Sequence, residues 1–306
     1  MYCMPLGILR DIVAIGCGWF SAAIPMKRLA LCPDFEKYLP QGKHFDYLMR
    51  VSGEVKRRVR DRETVGFQLG DNFFFIKRYY GCGWREILKE SLQGRRPVLG
   101  ANREWCALRR LAVLGIAAPH PVGFGMRGHL PSRYQSFIVT EALVGMISLE
   151  DLVLDWGGLG GKRQAHLRRC LLKRLADISR TLHDHGINHR DYYLCHFLVL
   201  DRNWINWRPK SPLDVILIDL HRAQMRQRVP RRWRVKDLSS LLFSSLDAGL
   251  TSRDLLVFAL RYRQGRGKLL RKERTFWQQV FKRAIKLYRQ IHGKWPQLPD
   301  GFANFS

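Results

Sequence analysis

GINHRDYYLCHFLV, residues 186–199, sets an aspartate, Asp191, behind the pair His189-Arg190 on a loop that leads into an apolar strand. Downstream, VILIDLHR, residues 215–222, puts a second aspartate, Asp219, at the end of another apolar strand. Two carboxylates on neighbouring strand ends, one free and one available to a metal, suit phosphoryl transfer from ATP. One orients and deprotonates the attacking hydroxyl while the other holds Mg²⁺ on the phosphates. A lone HRD triplet would equally describe an aspartate capping a turn. The longer string LHDHGINHRD, a helix end followed by a loop, favours the catalytic reading of Asp191.

Further polar residues fit the same chemistry. Lys77 ends the dense apolar run FFFIK and can reach a cleft as a point charge on ATP phosphates. Such a lysine needs a carboxylate partner from the next helix. Glu104 in NREWCALRRL is the first candidate, with Glu86 and Glu90 competing. Five positions beyond Asp191 protein kinases carry an asparagine that binds a second Mg²⁺. Here the residue is His196, and Mg²⁺ prefers oxygen ligands. His196 is therefore expected to hydrogen-bond Asp191, a phosphate or a metal-bound water, with direct metal binding a weaker alternative. The usual glycine-rich cover loop is absent before Lys77. RRVRDRETVGFQLG offers Arg57, Arg58, Arg60 and Arg62, expected to supply positive charge in place of backbone amides. His183, His185 and His189 lack the spacing and companions of a zinc site.

The chain has 306 residues and is 46% hydrophobic, enough for a packed core and against general disorder. Its net charge is +27, from 53 Lys and Arg against 26 Asp and Glu, which speaks to partners rather than fold. No basic-aromatic repeat, zinc finger or helix-turn-helix pattern supports nucleic acid, leaving an anionic membrane or an anionic substrate. Seven scattered cysteines without a CxxC pair argue against a disulfide framework and for a reducing compartment. Cys195, inside the catalytic loop, reads as a small buried residue. Residues 1–25 are apolar but broken by Arg10 and Asp11, too short for a spanning helix and poorly shaped for a signal peptide. The expectation is an upstream start with Met26 as the true initiator, an interfacial anchor being the alternative.

Short strand-like segments run from Glu54 to Tyr79, with Phe73–Arg78 expected as a buried strand and Arg78 as an exposed cation. Asn102–Leu114 reads as a helix with Trp105, Leu108, Leu111 and Ala112 on its apolar face. Ser136–Thr140 is a further strand. The expected lobe boundary follows it, giving an N-lobe over 26–141 and a C-lobe over 142–306. Helices are expected over Ala165–Asp184, Lys236–Leu246, Arg253–Tyr262 and Glu273–Ile291. This asymmetry describes an α+β, protein-kinase-like bilobal fold, with a small strand-rich lobe over a larger helical one.

HRDYYLCHFLV, LIDLHRAQ and PRRWRVKDLSSLLFSSLDAGLTSRD together resemble the lipopolysaccharide core heptose(I) kinases, of the lipopolysaccharide kinase family in the protein-kinase-like superfamily. FFIKRYYGCGWREILK, PVLGANREWCALRRL and QSFIVTEAL extend the likeness from about Met26 to about Gln290. The resemblance implies ATP- and Mg²⁺-dependent phosphorylation of the 4-hydroxyl of the first heptose of the lipopolysaccharide inner core. Kdo, another sugar or a protein is the alternative acceptor; a pseudokinase scaffold is the rival from another class. The resemblance carries the base to Asp191, the metal ligand to Asp219, the phosphate-binding lysine to Lys77, and support of the catalytic loop to Asp237. It also implies a cytoplasmic enzyme peripheral to the inner membrane, acting on a core glycolipid acceptor. The clusters at Arg168-Arg169 with Lys173-Arg174, Arg226–Arg234 and Arg261–Lys272 are then candidate contacts with the anionic leaflet. A small acidic protein such as acyl carrier protein is a further candidate partner.

Overall fold

The computed structural model describes residues 27–59, 61–81, 100–128, 130, 133–155, 161–202, 204, 213–264 and 273–298. Residues 1–25, Arg60, Glu86, Glu90 and the segment 265–272 of the third basic cluster lie outside them.

The N-terminal half is built on one antiparallel six-stranded sheet in the order β1-β5-β6-β4-β3-β2. Its strands are β1 (Lys27–Leu31), β2 (Glu54–Val59), β3 (Arg62–Leu69), β4 (Asn72–Tyr79), β5 (Pro121–Arg127) and β6 (Gln135–Glu141). Strand β4 is central because its β-branched and aromatic residues tolerate neighbours on both sides. It pairs Thr64 with Lys77 on β3, and Lys77 with Ile138 on β6. It is not buried throughout: Phe73 is exposed, whereas Phe74, Ile76 and Arg78 are buried on one face. That face packs on Phe35 of α1 (Pro33–Glu36) and Phe45 and Leu48 of α2 (His44–Arg50).

Arg78 departs from expectation. Its side chain is buried and pairs with Glu63 at 2.9 Å, while donating to the carbonyls of Leu48 and Val51. A charge enters a core only when paired and hydrogen-bonded. Here the guanidinium ties the segment after α2 to the sheet.

Helix α3 (Asn102–Val113) lies on the other face of the sheet, burying Trp105, Ala107, Leu108 and Leu111. Ala112 is exposed, contrary to the sequence reading, whereas Ala107 is buried with the apolar face. Gly115 ends this segment at a φ of +66°, a left-handed value that glycine adopts without strain.

The C-terminal half is mainly helical. It contains α4 (Leu149–Asp155), α5 (Gly161–Asp184), α6 (Arg231–Ser245), α7 (Ser252–Tyr262) and α8 (Arg274–His292). Short ladders lie between the halves: β7 (Met146–Ser148), β9 (Phe197–Leu200) and β10 (Ile216–Leu217) form one sheet, β8 (Ile187–Asn188) and β11 (Gln224–Met225) another. The segment after Asp219 is thus a 3-10 turn and a strand before α6 begins, five residues earlier than the sequence suggested. Leu167, Leu171, Leu175, Ile178 and Leu182 of α5 share one apolar core with α3, Tyr192, Phe197 and Leu220, so a continuous core joins both halves. Among α4, α5, α6, α7 and α8 lies an apolar cavity of about 510 Å³, walled by Leu171, Leu175, Leu241, Phe258, Trp277 and Val280.

Candidate active site

Two loops are stitched together by two ladders. The β8–β11 pair sets Asn188 opposite Gln224, and the β9–β10 pair sets Phe197 opposite Leu217. Between those clamps run residues 189–196 and 218–223. The backbone N–H of Ile218 donates to His196 O at 3.0 Å, and His189 Nε2 donates to Ile218 O at 3.0 Å. Burial lowers the pKa of His189, outweighing the opposing pull of Asp237, and keeps its imidazole neutral. Strand pairing thereby brings residues 28 positions apart, Asp191 and Asp219, onto adjacent loops. Gly186 permits the first clamp: a Cβ there would lie 1.7 Å from Arg226 O.

Both loops carry a non-glycine residue in the left-handed region, Arg190 at φ 79° and Asp219 at φ 61°. Each costs on the order of 1–2 kcal/mol, so surrounding contacts must hold it. Asp237 on α6 does so for the first loop. Its buried carboxylate accepts from the backbone N–H of His189 at 2.7 Å and of Arg190 at 2.9 Å. Asp219 is held by side chains. Its Oδ1 accepts from His221 Nδ1 at 2.6 Å and from Lys77 Nζ at 3.2 Å, and its Oδ2 lies 3.7 Å from His196 Nε2.

Lys77 also donates to Glu104 Oε1 at 2.7 Å, which bridges β4 and α3. Glu86 and Glu90 lie outside the described residues, so Glu104 is the partner the structure presents. Burial disfavours the charged ammonium of Lys77. Glu104 and Asp219 outweigh it, and its pKa is raised. Burial likewise opposes ionisation of Asp219. The His221 hydrogen bond, then the charge of Lys77, overcome it and hold the pKa well below the usual carboxylate range. A carboxylate that stays ionised beside a protonated lysine is the charge pair that a nucleotide's phosphates and their metal engage.

Asp191 is 16% exposed and accepts from Arg222 Nη1 at 2.8 Å (Oδ1) and 3.2 Å (Oδ2). His196 sits between the two aspartates. Its Nδ1 donates to Asp191 O at 2.6 Å, so in the neutral imidazole Nε2 is the acceptor nitrogen, turned toward Asp219. Cys195 is half-buried, and burial raises its thiol pKa, which disfavours a nucleophilic thiolate. Of the arginines expected over the nucleotide, Arg58 pairs with Glu63 at 2.8 Å inside the β2–β3 hairpin, and Arg60 lies outside the described residues.

Residues 46–262 match the model of a family described as "Lipopolysaccharide kinase (Kdo/WaaP) family". The chain belongs to the lipopolysaccharide kinase family. Lipopolysaccharide core heptose(I) kinase WaaP of Escherichia coli is 41% identical over 245 residues, 79% of this chain and 90% of that protein. The enzyme of the same name from Pseudomonas aeruginosa is 39% identical over 266 residues, 86% of this chain and 97% of that protein. Among solved structures, WaaP in complex with acyl carrier protein superposes with a TM-score of 0.71 at 35% identity, covering 85% of this chain and 99% of that one. The fold is therefore the bilobal α+β kinase-like one, and the family is one of ATP-using phosphotransferases.

Within this family member, the sequence reading passed over Arg222 and His221. Both follow Asp219 in LHRAQ, and neither has a counterpart in the kinase Asp-Phe-Gly motif. The signal was a run of two basic residues beside a metal-type aspartate. Several cations offered as membrane contacts prove to be internal. Arg168 pairs with Asp254 at 3.1 Å, Arg234 with Asp184 at 3.3 Å, and Arg263 with Glu273 at 2.7 Å. Arg169, Lys173, Arg228, Arg231 and Arg232 remain exposed. Among the described residues no helix is long and apolar enough to cross a membrane.

Proposed function

We propose that this kinase transfers the γ-phosphoryl group of ATP to the 4-hydroxyl of the first heptose of the lipopolysaccharide inner core. The observation that supports this reading is Lys77 Nζ at 3.2 Å from Asp219, with His196 bridging the loops of Asp219 and Asp191, in a chain whose named relatives are heptose(I) kinases. Asp191 orients the acceptor hydroxyl and takes its proton as the bond to phosphorus forms. Lys77, fixed by Glu104, binds the nucleotide phosphates.

The donor set suits Mg²⁺. Among the described residues no three His, Cys, Asp or Glu gather into an all-protein metal cage. Mg²⁺ does not ask for one, since it takes one or two carboxylates, substrate phosphates and water. Asp219 would hold it, and His196 would accept from a metal-bound water through Nε2. When bound, the ion neutralises charge on the transferring phosphoryl group.

A cytoplasmic site peripheral to the inner membrane fits an acceptor of this class and the net charge of +27. Basic residues near an anionic leaflet contribute on the order of 1 kcal/mol each. For a protein partner, the proposal is an acyl carrier protein, as in the related WaaP complex. An acyl group is an apolar chain, and the 510 Å³ cavity among the C-terminal helices offers it an apolar lining with Arg168 and Arg274 at the wall. Thermal melting with acylated and unacylated carrier tests this. Equal responses to both count against the cavity as its seat.

Mass spectrometry of lipopolysaccharide core from the host, with and without this chain, tests the main reading. Loss of one phosphate from the first heptose is expected. Loss from Kdo would move the acceptor within the family, and phosphate transfer to protein alone would defeat the sugar-kinase reading.

A further inference from the structure

The turn that follows Asp219 touches both carboxylates of the site. Leu220–Arg222 is a 3-10 turn entered through Asp219 in the left-handed region. Leu220 is fully buried in the core that joins the two halves, which anchors the turn. Its two basic residues then part. His221 Nδ1 donates to Asp219 Oδ1 at 2.6 Å, while Arg222 Nη1 donates to Asp191 Oδ1 at 2.8 Å and Oδ2 at 3.2 Å. Consecutive side chains on one anchored turn therefore hold the metal-type carboxylate and the base.

Arg222 supplies what the catalytic loop itself does not. Asp237 fixes the backbone N–H groups of His189 and Arg190, and His196 Nδ1 holds the Asp191 carbonyl. Those bonds set the main chain. They leave the carboxylate able to turn, because the terminal torsion of an aspartate is broad. A working base has to be held to within about 0.5 Å of its productive position. Among the described residues Arg222 is the hydrogen-bond donor to that carboxylate. Lys236 is near enough for its charge and that of Asp191 to influence each other, yet among the described residues no hydrogen bond joins them.

The contact leaves the base able to work. One guanidinium nitrogen spans both oxygens, and an ionised carboxylate offers about four lone-pair sites, so a hydroxyl can still donate to Asp191. The guanidinium is planar and permanently charged, so the hold does not vary with its own protonation. The Arg222 side chain is 38% exposed, which places it at the surface of the site and not in the core. Replacing it opens no buried cavity, and the fold should tolerate the change.

We infer that Arg222 is the positioning residue for the base: its guanidinium locks the Asp191 carboxylate in the orientation that receives the acceptor hydroxyl, and the turn that carries it ties this orientation to Asp219. This rests on Asp191 being the base of the proposed reaction. Arg222 acts through Asp191, so its loss falls on the chemical step and spares the nucleotide contacts of Lys77.

Steady-state transfer from ATP to purified core glycolipid tests it, using Arg222→Gln, Arg222→Lys, Asp191→Ala and the double variant Arg222→Gln with Asp191→Ala. Arg222→Gln should lower kcat by roughly 10–100-fold, the cost of a misaligned reacting group, with KM for ATP held. Arg222→Lys should recover much of that loss, since it keeps a cation within reach of the carboxylate. In the Asp191→Ala background, Arg222→Gln should cost nothing more, as expected of residues that act as a unit. Wild-type kcat in Arg222→Gln overturns the inference. So does a loss that multiplies with that of Asp191→Ala, or one confined to KM for the acceptor; each of these leaves the kinase reading standing. Wild-type turnover in Asp191→Ala would instead remove the base on which the inference rests.

Discussion

Asp191 owes its position to its neighbours on either side. Asp237 fixes the backbone before it and Arg222 grips its carboxylate. Replacing Asp191 with Ala should lower kcat by ~10²–10⁴ if general-base help is its main role, with little change in ATP binding. Phosphate transfer to core glycolipid measures it, and wild-type turnover in the variant would remove Asp191 from the mechanism. Lys77→Met should cut kcat/KM for ATP by roughly 10²-fold on the proposed reading, in which its ammonium is a preorganised cation on the phosphates. Nucleotide titrations that match wild type would show that Lys77 serves only to pair Glu104 and Asp219. The sequence singles these residues out because each is a chemical type at a characteristic spacing. It does not show the grip of Arg222 on Asp191, because a separation of 31 positions is closed only by strand pairing.

At the scale of elements, the β3–β4 pair carries a buried charge that reports on pH. Glu63 is buried, which alone would raise its pKa. Hydrogen bonds from Tyr80, Arg58 and Arg78 reverse this and lower it from 4.5 to about 2. A carboxylate depressed in the folded state contributes stability that is fully present above its unfolded pKa. That contribution is lost as pH falls from about 4.5 toward 2. Glu63→Gln should therefore flatten the acid limb of the stability curve. It should also cost about 3–5 kcal/mol at neutral pH, because Arg78 is left buried without its partner. Denaturant unfolding from pH 7 to pH 3 measures both, and a variant as acid-sensitive as wild type would contradict the assignment. Elsewhere, Thr251 and Asp254 form a reciprocal capping box at the start of α7. Thr251→Ala should lower stability by about 1 kcal/mol, read as a fall in Tm. Strands β2, β3, β4 and β6 and the long helices were visible in the sequence through period-two and period-3.6 patterning. The short helices α1, α2 and α4 and the strands β1, β5, β7, β8 and β11 were not, since two to seven residues span few periods and β5 is interrupted by Gly123 and Gly125.

For the whole molecule, the charge of +27 is divided between internal ties and a free surface. Arg168, Arg234 and Arg263 are paired to carboxylates, while Arg169, Lys173 and Arg228 face solvent. Binding to vesicles containing anionic lipid should accordingly weaken steeply as salt rises past about 0.15 M, where the Debye length falls to about 8 Å. Cosedimentation across a salt series measures this, and salt-independent binding would point to apolar insertion instead. The apolar cavity makes a separate prediction. A carrier's acyl chain held at 100 times its Kd should stabilise the fold by about 2.7 kcal/mol, a rise in Tm that unacylated carrier does not produce.

By itself the sequence determined the fold class, the family and the identity of the chemical groups, because hydrophobic periodicity and the HRD-type and strand-end aspartate strings are local properties of the chain. Only the tertiary structure decided which charges meet. It chose Glu104 for Lys77, set Arg222 on Asp191 and drew Arg78 and Arg168 inward. Pairing of charges depends on distances across the folded chain, and those are fixed by strand register and helix packing between segments far apart in sequence.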